Sequence, residues 1–396
     1  RRQLNTIHPL ILAEDSIMRK SWAISFITVL TTTCGSLAQE ARIFDTDKGK
    51  IEVKQMVAGL DSPWAMAMLP NGELLVTLRG GDMVIADPAN AGKQRKVANV
   101  PDVWAFGQGG LLDVVLDRNF SENNKIYFTY SDPGILRSAG TALASATLVN
   151  GNKPALQNVK KLYTQKKKTR AGQHFGSRIV QDRAGNIFFT IGDRGERSRA
   201  QNTQDSAGSV LRLTSTGDIP SDNPFVGNKK GSPEIWSVGH RNPQGATLNE
   251  QTGELWTLSH GARGGDEINI ARAGKNYGWP QISYGTHYSG AKIGIGTKGK
   301  GFEQPIYYWD PSIAPSGFDF YSGNAVPQWK GDLFLGALRA EMVVRLEVDG
   351  EKIVHEERLF EGEYDRVRDV RSFPDGHLWF MTGSGDGGIY RVTAAN

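Results

Sequence analysis

The sequence predicts an all-β protein, a six-bladed β-propeller formed by residues 39–396, and three observations predict it. Glycine is abundant, with 47 residues in 396, and many glycines among short apolar runs favour a loop-rich β fold over a helical one. Beyond residue 50 no run of helical periodicity exceeds about two turns. One unit also keeps returning: a turn with Gly or Asn, then a short apolar strand that ends in small or polar residues.

The unit appears six times. Asn71-Gly72 precedes ELLVTL, Asn123-Asn124 precedes KIYFTYS, and Ala184-Gly185-Asn186 precedes IFFTIGD. Thr252-Gly253 then precedes ELWTLSHG, Lys330-Gly331 precedes DLFLGAL, and Asp375-Gly376 precedes HLWFMTG. The strands start near residues 73, 125, 187, 254, 332 and 377, at irregular spacings that imply insertions within a repeat. Several have a partner strand close behind, such as Val210–Leu213, Val343–Leu346 and Ile389–Val392. Residues 51–58 (IEVKQMVA) supply a strand that can complete the last blade and close the ring. Radial repetition gathers the inner strands around one axis, so polar residues at strand ends would share one pocket. A pair of β-sandwiches is the alternative architecture. No linker composition divides the chain.

Ahead of the propeller, residues 18–38 read as a secretory signal peptide. Met18-Arg19-Lys20 is its positive start, Ala23–Leu30 its apolar centre, and Ser36-Leu37-Ala38 its cleavage site, leaving Gln39 first. The apolar stretch is too short for a stable membrane span. Residues 1–17 read as an upstream extension before Met18; a buried N-terminal helix is the alternative. The sole cysteine, Cys34, lies in the leader, so a chain cleaved after Ala38 has no thiol for a disulfide or for catalysis. Lipidation of Cys34 is disfavoured, because Thr31-Thr32-Thr33 lacks the apolar residue that such a signal carries. A periplasmic or secreted protein is expected.

The net charge is +4, and the basic residues are scattered apart from short runs at 166–168 and 298–300. Nucleic-acid binding calls for a concentrated basic stripe, so no nucleic-acid partner is expected. The Walker loop, His-Glu-x-x-His and Gly-x-Ser-x-Gly are missing from the sequence. Gly383–Gly388 matches GxGxxG, but it sits eight residues from the end of the sequence with no helix after it, and reads as a blade turn.

Five polar segments are denser than blade geometry requires. Gly107–Asp113 carries Gln108 among glycines that let backbone approach a ligand. Ala171–Gly176 places Gln173 and His174 between glycines; a lone histidine serves either as a structural group or as a catalytic one. Gly239–Gly245 puts Arg241 and Asn242 beside Pro243, in a binding loop or a blade corner. Ser259–Asn269, followed by Asn276–Pro280, collects Asp266, Glu267 and loop carbonyls, the hard oxygens that Ca²⁺ takes; the other reading is a solvated turn. In Arg366–Val370, alternation puts Arg366 and Arg368 on one face, suited to a polycarboxylate. The plain reading pairs them with Asp365 and Asp369.

Taken in order, ten segments resemble the soluble PQQ-dependent aldose sugar dehydrogenases, the family of soluble quinoprotein glucose dehydrogenase (PQQ, pyrroloquinoline quinone). They are SPWAMAMLPNG, LRGG, PDVWAFGQGGLLDVVL, GQHFGSRIV, LRLTSTGDIPSDNPF, EIWSVGHRNPQG, HGARGGDEINI, GKNYGWP, GALR and RVRDVRSFPDG. The resemblance implies a six-bladed propeller that oxidises aldoses to lactones, with PQQ in the axial funnel, two calcium sites and an external electron acceptor. A monomer or homodimer is expected.

By the same resemblance, His174 is the general base, helped near the reacting centre by Gln108 and Gln173. Arg241 and Asn242 stand at the quinone, and Arg366 and Arg368 pair with its carboxylates. Gly261 and Ala262 give carbonyls to the calcium that bridges protein and PQQ. Glu267 and Tyr277 hold a second calcium, with Asp266 a further candidate for the set. Tyr288 lines the sugar entrance. Three positions depart from the family pattern: Arg339 stands where a Lys is usual, Ala262 replaces a common Pro, and Gln173 replaces Asp or Asn. The last change removes a charge beside His174. Two other functions remain open, a calcium-dependent propeller hydrolase such as a lactonase, and a non-catalytic carbohydrate- or protein-binding propeller. Neither needs so many arginines around a polyanion.

Overall fold

Strands that are apolar on both faces need a covered sheet on either side, and six antiparallel sheets arranged radially meet that need. The computed structural model describes residues 41–395; the expected upstream extension, the leader with Cys34, and the cleavage site at 38/39 lie outside them. Blade 1 consists of Pro63–Met68, Leu74–Leu78, Met83–Asp87 and Lys93–Lys96. Blade 2 is Leu111–Leu116, Lys125–Pro133, Ala139–Val149 and Ala155–Thr164. Blade 3 is Ile179–Gln181, Ile187–Ile191, Ser209–Leu213 and Ile235–Val238. Blade 4 is Pro243–Leu248, Leu255–Ser259, Asp266–Ile270 and Tyr307–Trp309, and blade 5 is Pro315–Phe320, Leu333–Ala337, Met342–Asp349 and Lys352–Leu359.

Blade 6 joins the two ends of the described chain. Val367–Ser372, Leu378–Thr382 and Gly387–Ala394 are followed in the sheet by Gly49–Leu60 and then Arg42–Thr46. The strand expected from residues 51–58 does pair with the last strand of the chain, Ile51 opposite Ala394 and Val53 opposite Val392. First strands of neighbouring blades lie side by side all the way round, blade 6 meeting blade 1.

Six main apolar layers fill the six gaps between blades. Trp64, Leu75, Phe128 and Leu111 pack between blades 1 and 2; Tyr127, Leu143, Phe189 and Leu211 between blades 2 and 3. Phe188 and Leu248 bridge blades 3 and 4, and Trp256, Phe318 and Leu335 bridge 4 and 5. Val53, Phe334, Leu359 and Phe380 join 5 to 6, while Leu74, Val76, Met381 and Ile389 join 6 to 1. The outermost strands of blades 1 and 2 are polar: Lys93–Lys96 is KQRK, and Ala155–Thr164 carries Lys160 and Lys161. Charged edges discourage pairing with other chains.

The recurrent turn-and-strand unit is the hairpin into the second strand of each blade, not the innermost strand. The innermost strands were hard to read because polar side chains point from them to the axis. Asp113, Asp369 and Arg178 are fully buried there. Arg178 bonds Asp113 at 3.1 Å and Asp369 at 2.9 Å, and Arg371 bonds Asp113 at 2.9 Å and Asp369 at 3.1 Å. The Nε of Arg178 reaches the Gln244 carbonyl at 2.7 Å, and Met66 N–H reaches Asp369 at 3.2 Å. This four-charge knot ties blades 1, 2, 3, 4 and 6 together on the axis. Among the described residues no helix is long and apolar enough to cross a membrane.

Candidate active site

In an antiparallel blade, the loop entering the first strand and the loop leaving the second lie at the same end. Gln108, His174, Arg241 and Asn242 precede the first strands of blades 2, 3 and 4. Asp193, His260–Arg263 and Arg339 follow the second strands of blades 3, 4 and 5. These loops therefore converge, and they enclose a cavity of about 450 Å³. That volume lies within the range of small-molecule sites.

His174 opens into this cavity but is itself only 8% exposed. Its backbone N–H donates to Gln108 Oε1 at 2.7 Å, and its Nδ1 lies 2.6 Å from Asp193 Oδ1. Asp193 is fully buried, and it also accepts from Trp279 Nε1 at 2.8 Å and Gly195 N–H at 2.7 Å. Those bonds hold the Asp193 carboxyl below its usual range despite burial. An ionised carboxylate can only accept, so the Nδ1 proton belongs to His174 and Nε2 keeps its lone pair. Burial pulls the His174 pKa down, against the opposing pull of Asp193, with Arg241 and Arg194 adding to the fall. The imidazole is thus a neutral, oriented base.

Two glycines allow the close approaches behind it. At Gly107, with φ of +61°, a Cβ would stand 2.2 Å from the Gly172 carbonyl oxygen, and at Gly192 it would stand 2.3 Å from that of His174. Neither position accepts a side chain.

Positive charge dominates the rest of the cavity. Arg241, Arg263 and Arg339 line it, and none of its lining residues is a carboxylate. Arg241 packs 5.4 Å over Trp279 and has a buried Nε without a partner. Asn242 Oδ1 accepts from Gly176 N–H at 3.1 Å, which leaves its amide N–H groups as donors. Behind Asn242, Gln244 bridges to Arg368, whose Nη1 lies 2.9 Å from Gln244 Oε1. Arg368 has no carboxylate ion pair among the described residues, and burial with the charges of Arg178, Arg366 and Arg79 pushes it down to about 9. A half-buried guanidinium without a carboxylate partner calls for an anion.

A second, much smaller cavity of about 20 Å³ lies beside the first and is lined by Glu267, Tyr277, Asn269 and His240. Burial raises the Glu267 carboxyl to about 7, since Asn269 gives it only one weak bond, at 3.3 Å. Asn269 Oδ1 and His240 Nδ1 are buried without partners. Buried oxygens short of donors fit a cation of the oxygen-seeking kind. The Tyr277 hydroxyl is taken by the Ile270 carbonyl, so only its main chain is available.

The family comparison agrees with this architecture. The glucose/sorbosone dehydrogenase family model matches residues 60–391. Aldose sugar dehydrogenase YliI of Escherichia coli (strain K12) is 42% identical over 350 residues, covering 87% of this chain and 94% of that protein. The chain belongs to the glucose/sorbosone dehydrogenase family. A crystal structure of the soluble aldose sugar dehydrogenase from Escherichia coli in the apo form covers 87% of the chain with a TM-score of 0.84. It is 42% identical, and all of that structure is matched. The PQQ-bound form of an aldose sugar dehydrogenase from Streptomyces coelicolor, 27% identical, covers 88% of the chain and 99% of itself, with a TM-score of 0.73.

Of the residues expected from the family resemblance, Gln108, His174, Arg241, Asn242, Gly261, Ala262, Tyr288 and Arg339 all line the larger cavity. Tyr288 is 73% exposed at its mouth. Arg368 stands behind the wall, and Arg366 is exposed just ahead of its strand. Neither pairs with Asp369, which Arg178 and Arg371 hold instead. The Gln173 side chain is exposed and does not line the cavity; its carbonyl accepts from Arg194.

Asp266 is held by four protein donors. Its carboxylate accepts from Gly261 N–H at 2.8 Å, Ser312 Oγ at 2.7 Å and the N–H groups of Ile313 and Ala314 at 2.8 and 3.1 Å. These four protein donors make it a brace of the Gly261–Ala262 loop. Sequence reasoning missed Asp193 and His260. Asp193, two residues past the strand Ile187–Ile191, places a carboxylate against the imidazole. His260, whose Nε2 bonds the Pro315 carbonyl, is neutral, burial holding its pKa near about 4.

Proposed function

We propose that this protein is an exported quinoprotein that oxidises aldoses at the anomeric carbon to lactones and passes electrons to an external acceptor. One observation carries the reading: a neutral, carboxylate-oriented histidine opens into a cavity whose charged walls are all cationic. A hydrolase needs the base but not Arg241, Arg263, Arg339 and the half-buried Arg368 around it. The leader-like residues 18–38 support a periplasmic or secreted location.

The donor set fits PQQ, a tricarboxylate. Arg241, Asn242 and Arg339 would hold it in the cavity, with Arg368 and Arg366 answering its carboxylates. The carbonyls of Gly261 and Ala262 would serve a calcium at the same wall, and Glu267 with the Tyr277 main chain a second calcium. When bound, PQQ supplies the acceptor for the hydride. The chain's own residues do the rest. His174 Nε2 takes the proton of the anomeric hydroxyl, and Asp193 stabilises the imidazolium that forms. Arg241 keeps a fixed positive charge where negative charge grows. Gln108 holds the His174 backbone, and Tyr288 borders the entrance for the sugar.

The test adds PQQ and Ca²⁺ to the purified protein and follows the quinone absorbance and dye reduction with several aldoses. Absence of both would bring the hydrolase or binding-module reading to the front. Two further results are expected. Arg368→Ala weakens PQQ binding by roughly ten- to hundredfold, the value of a charge-assisted hydrogen bond; a titration giving wild-type affinity removes Arg368 from the cofactor site. Since only neutral His174 accepts a proton, turnover falls on the acid side, with a midpoint below the usual histidine value of 6.5. A midpoint above that value contradicts a base held neutral by burial.

A further inference from the structure

We propose that Arg194 is a positioning residue for His174, a buried cation that clamps the main-chain carbonyls leading into the base and fixes where its imidazole stands. The inference rests on His174 being the base.

Arg194 follows Asp193 directly, where blade 3 leaves its second strand, and it is 0% exposed. Its Nη2 donates to the Ala171 carbonyl at 2.7 Å, and its Nη1 donates to the Gln173 carbonyl. The Gly172 carbonyl between them accepts from Gln108 N–H at 2.6 Å. Three successive carbonyls ahead of His174 are thus held by donors from two sides. The same guanidinium centre lies 3.4 Å from the ring centroid of Phe175. One side chain therefore touches the chain on both flanks of His174.

A guanidinium in this position is a costly way to fill space. Among the described residues Arg194 forms no ion pair, and its Nε is buried without a partner. Burial, with the charge of Arg199, pushes its pKa down to about 9. Methionine would pack against Phe175 without leaving an unpaired charge. What methionine cannot do is bridge two carbonyls with a rigid fork. The need for the fork lies in His174, which sits at φ +57°, a left-handed conformation that residues other than glycine uncommonly adopt. Asp193 aligns the ring, and Arg194 aligns the backbone that carries it. Adjacent residues of one turn thereby fix both ends of the base.

The experiment uses the full chain with Arg194→Met and Arg194→Lys. With PQQ and Ca²⁺ added, Arg194→Met is expected to lower kcat roughly ten- to hundredfold, the penalty of a misplaced catalytic group, with the sugar KM and PQQ affinity little changed. Arg194→Lys, able to reach one carbonyl, recovers part of the loss. In PQQ-free protein labelled with ¹⁵N-histidine, Arg194→Met shifts the His174 ring signals and their titration. A wild-type kcat in Arg194→Met overturns the clamp, as does an equal fall in both variants with His174 signals unmoved. If Arg194→Met does not fold, Arg194→Lys decides, and a wild-type kcat in it is the refuting result. If the unsubstituted protein shows no PQQ-dependent turnover, the function fails while the His174 signals still test the clamp.

Discussion

His174→Ala is expected to leave PQQ binding intact and to lower turnover by roughly two to four orders of magnitude, the usual contribution of a positioned general base. The geometry says why the two properties separate. The cationic groups on the cavity wall are Arg241, Arg263 and Arg339, with Arg368 behind it through Gln244. Within that wall His174 alone has a nitrogen lone pair presented by a buried carboxylate partner. Removing the ring takes away the proton acceptor and leaves the cation set in place. PQQ titration beside steady-state dye reduction measures both. A variant that loses PQQ affinity yet keeps its residual turnover rate would show that His174 binds rather than abstracts.

Arg178→Met is expected to cost about 3–5 kcal/mol of folding stability, the range for breaking a buried pair from one side. Arg178 is the hinge of the axial knot, bonding Asp113 and Asp369 together with the Gln244 carbonyl. Its loss leaves two carboxylates inside with only Arg371 between them. It also removes a guanidinium stacked 4.3 Å over Trp64, so packing between blades 1 and 3 loosens as well. Urea unfolding followed by tryptophan fluorescence gives the change directly. A loss under about 1 kcal/mol would mean that the knot is no tighter than a surface ion pair.

The fold was legible because the second strand of every blade is buried on both faces and preceded by a turn. Five of those strands are continuous or nearly continuous apolar runs, as in Leu378–Thr382 and Leu333–Ala337. The first strands were not legible for the opposite reason. VRDVRS and LLDVVL carry charges that a polar-outside reading sends to solvent, yet Asp113 and Asp369 point at a closed axis. The same misreading allowed Arg366 and Arg368 to be paired with Asp369.

At the site, loops rich in Gly, His, Arg and Asn drew notice because blade turns do not need them. Asp193 gave no comparable signal. It ends an apolar strand followed by Arg194 and Gly195, and nothing in that spacing says that the linker from blade 2 will bring an imidazole to it. Such a contact is made by topology, across nineteen positions of sequence. Asp266 shows the reverse. Its sequence context, a loop full of oxygens, suggested a metal ligand and gave no sign of the four protein donors it accepts.

The pairing of Gly49–Leu60 with Gly387–Ala394 has a consequence for how the molecule is made. A segment near the start of the chain must wait for one of the last to be synthesised before its partner exists. Until then, the side of the first blade that carries Leu74 and Val76 has nothing to lie against, and the ring stays open. Contacts between such distant parts form slowly, after the loop entropy has been overcome.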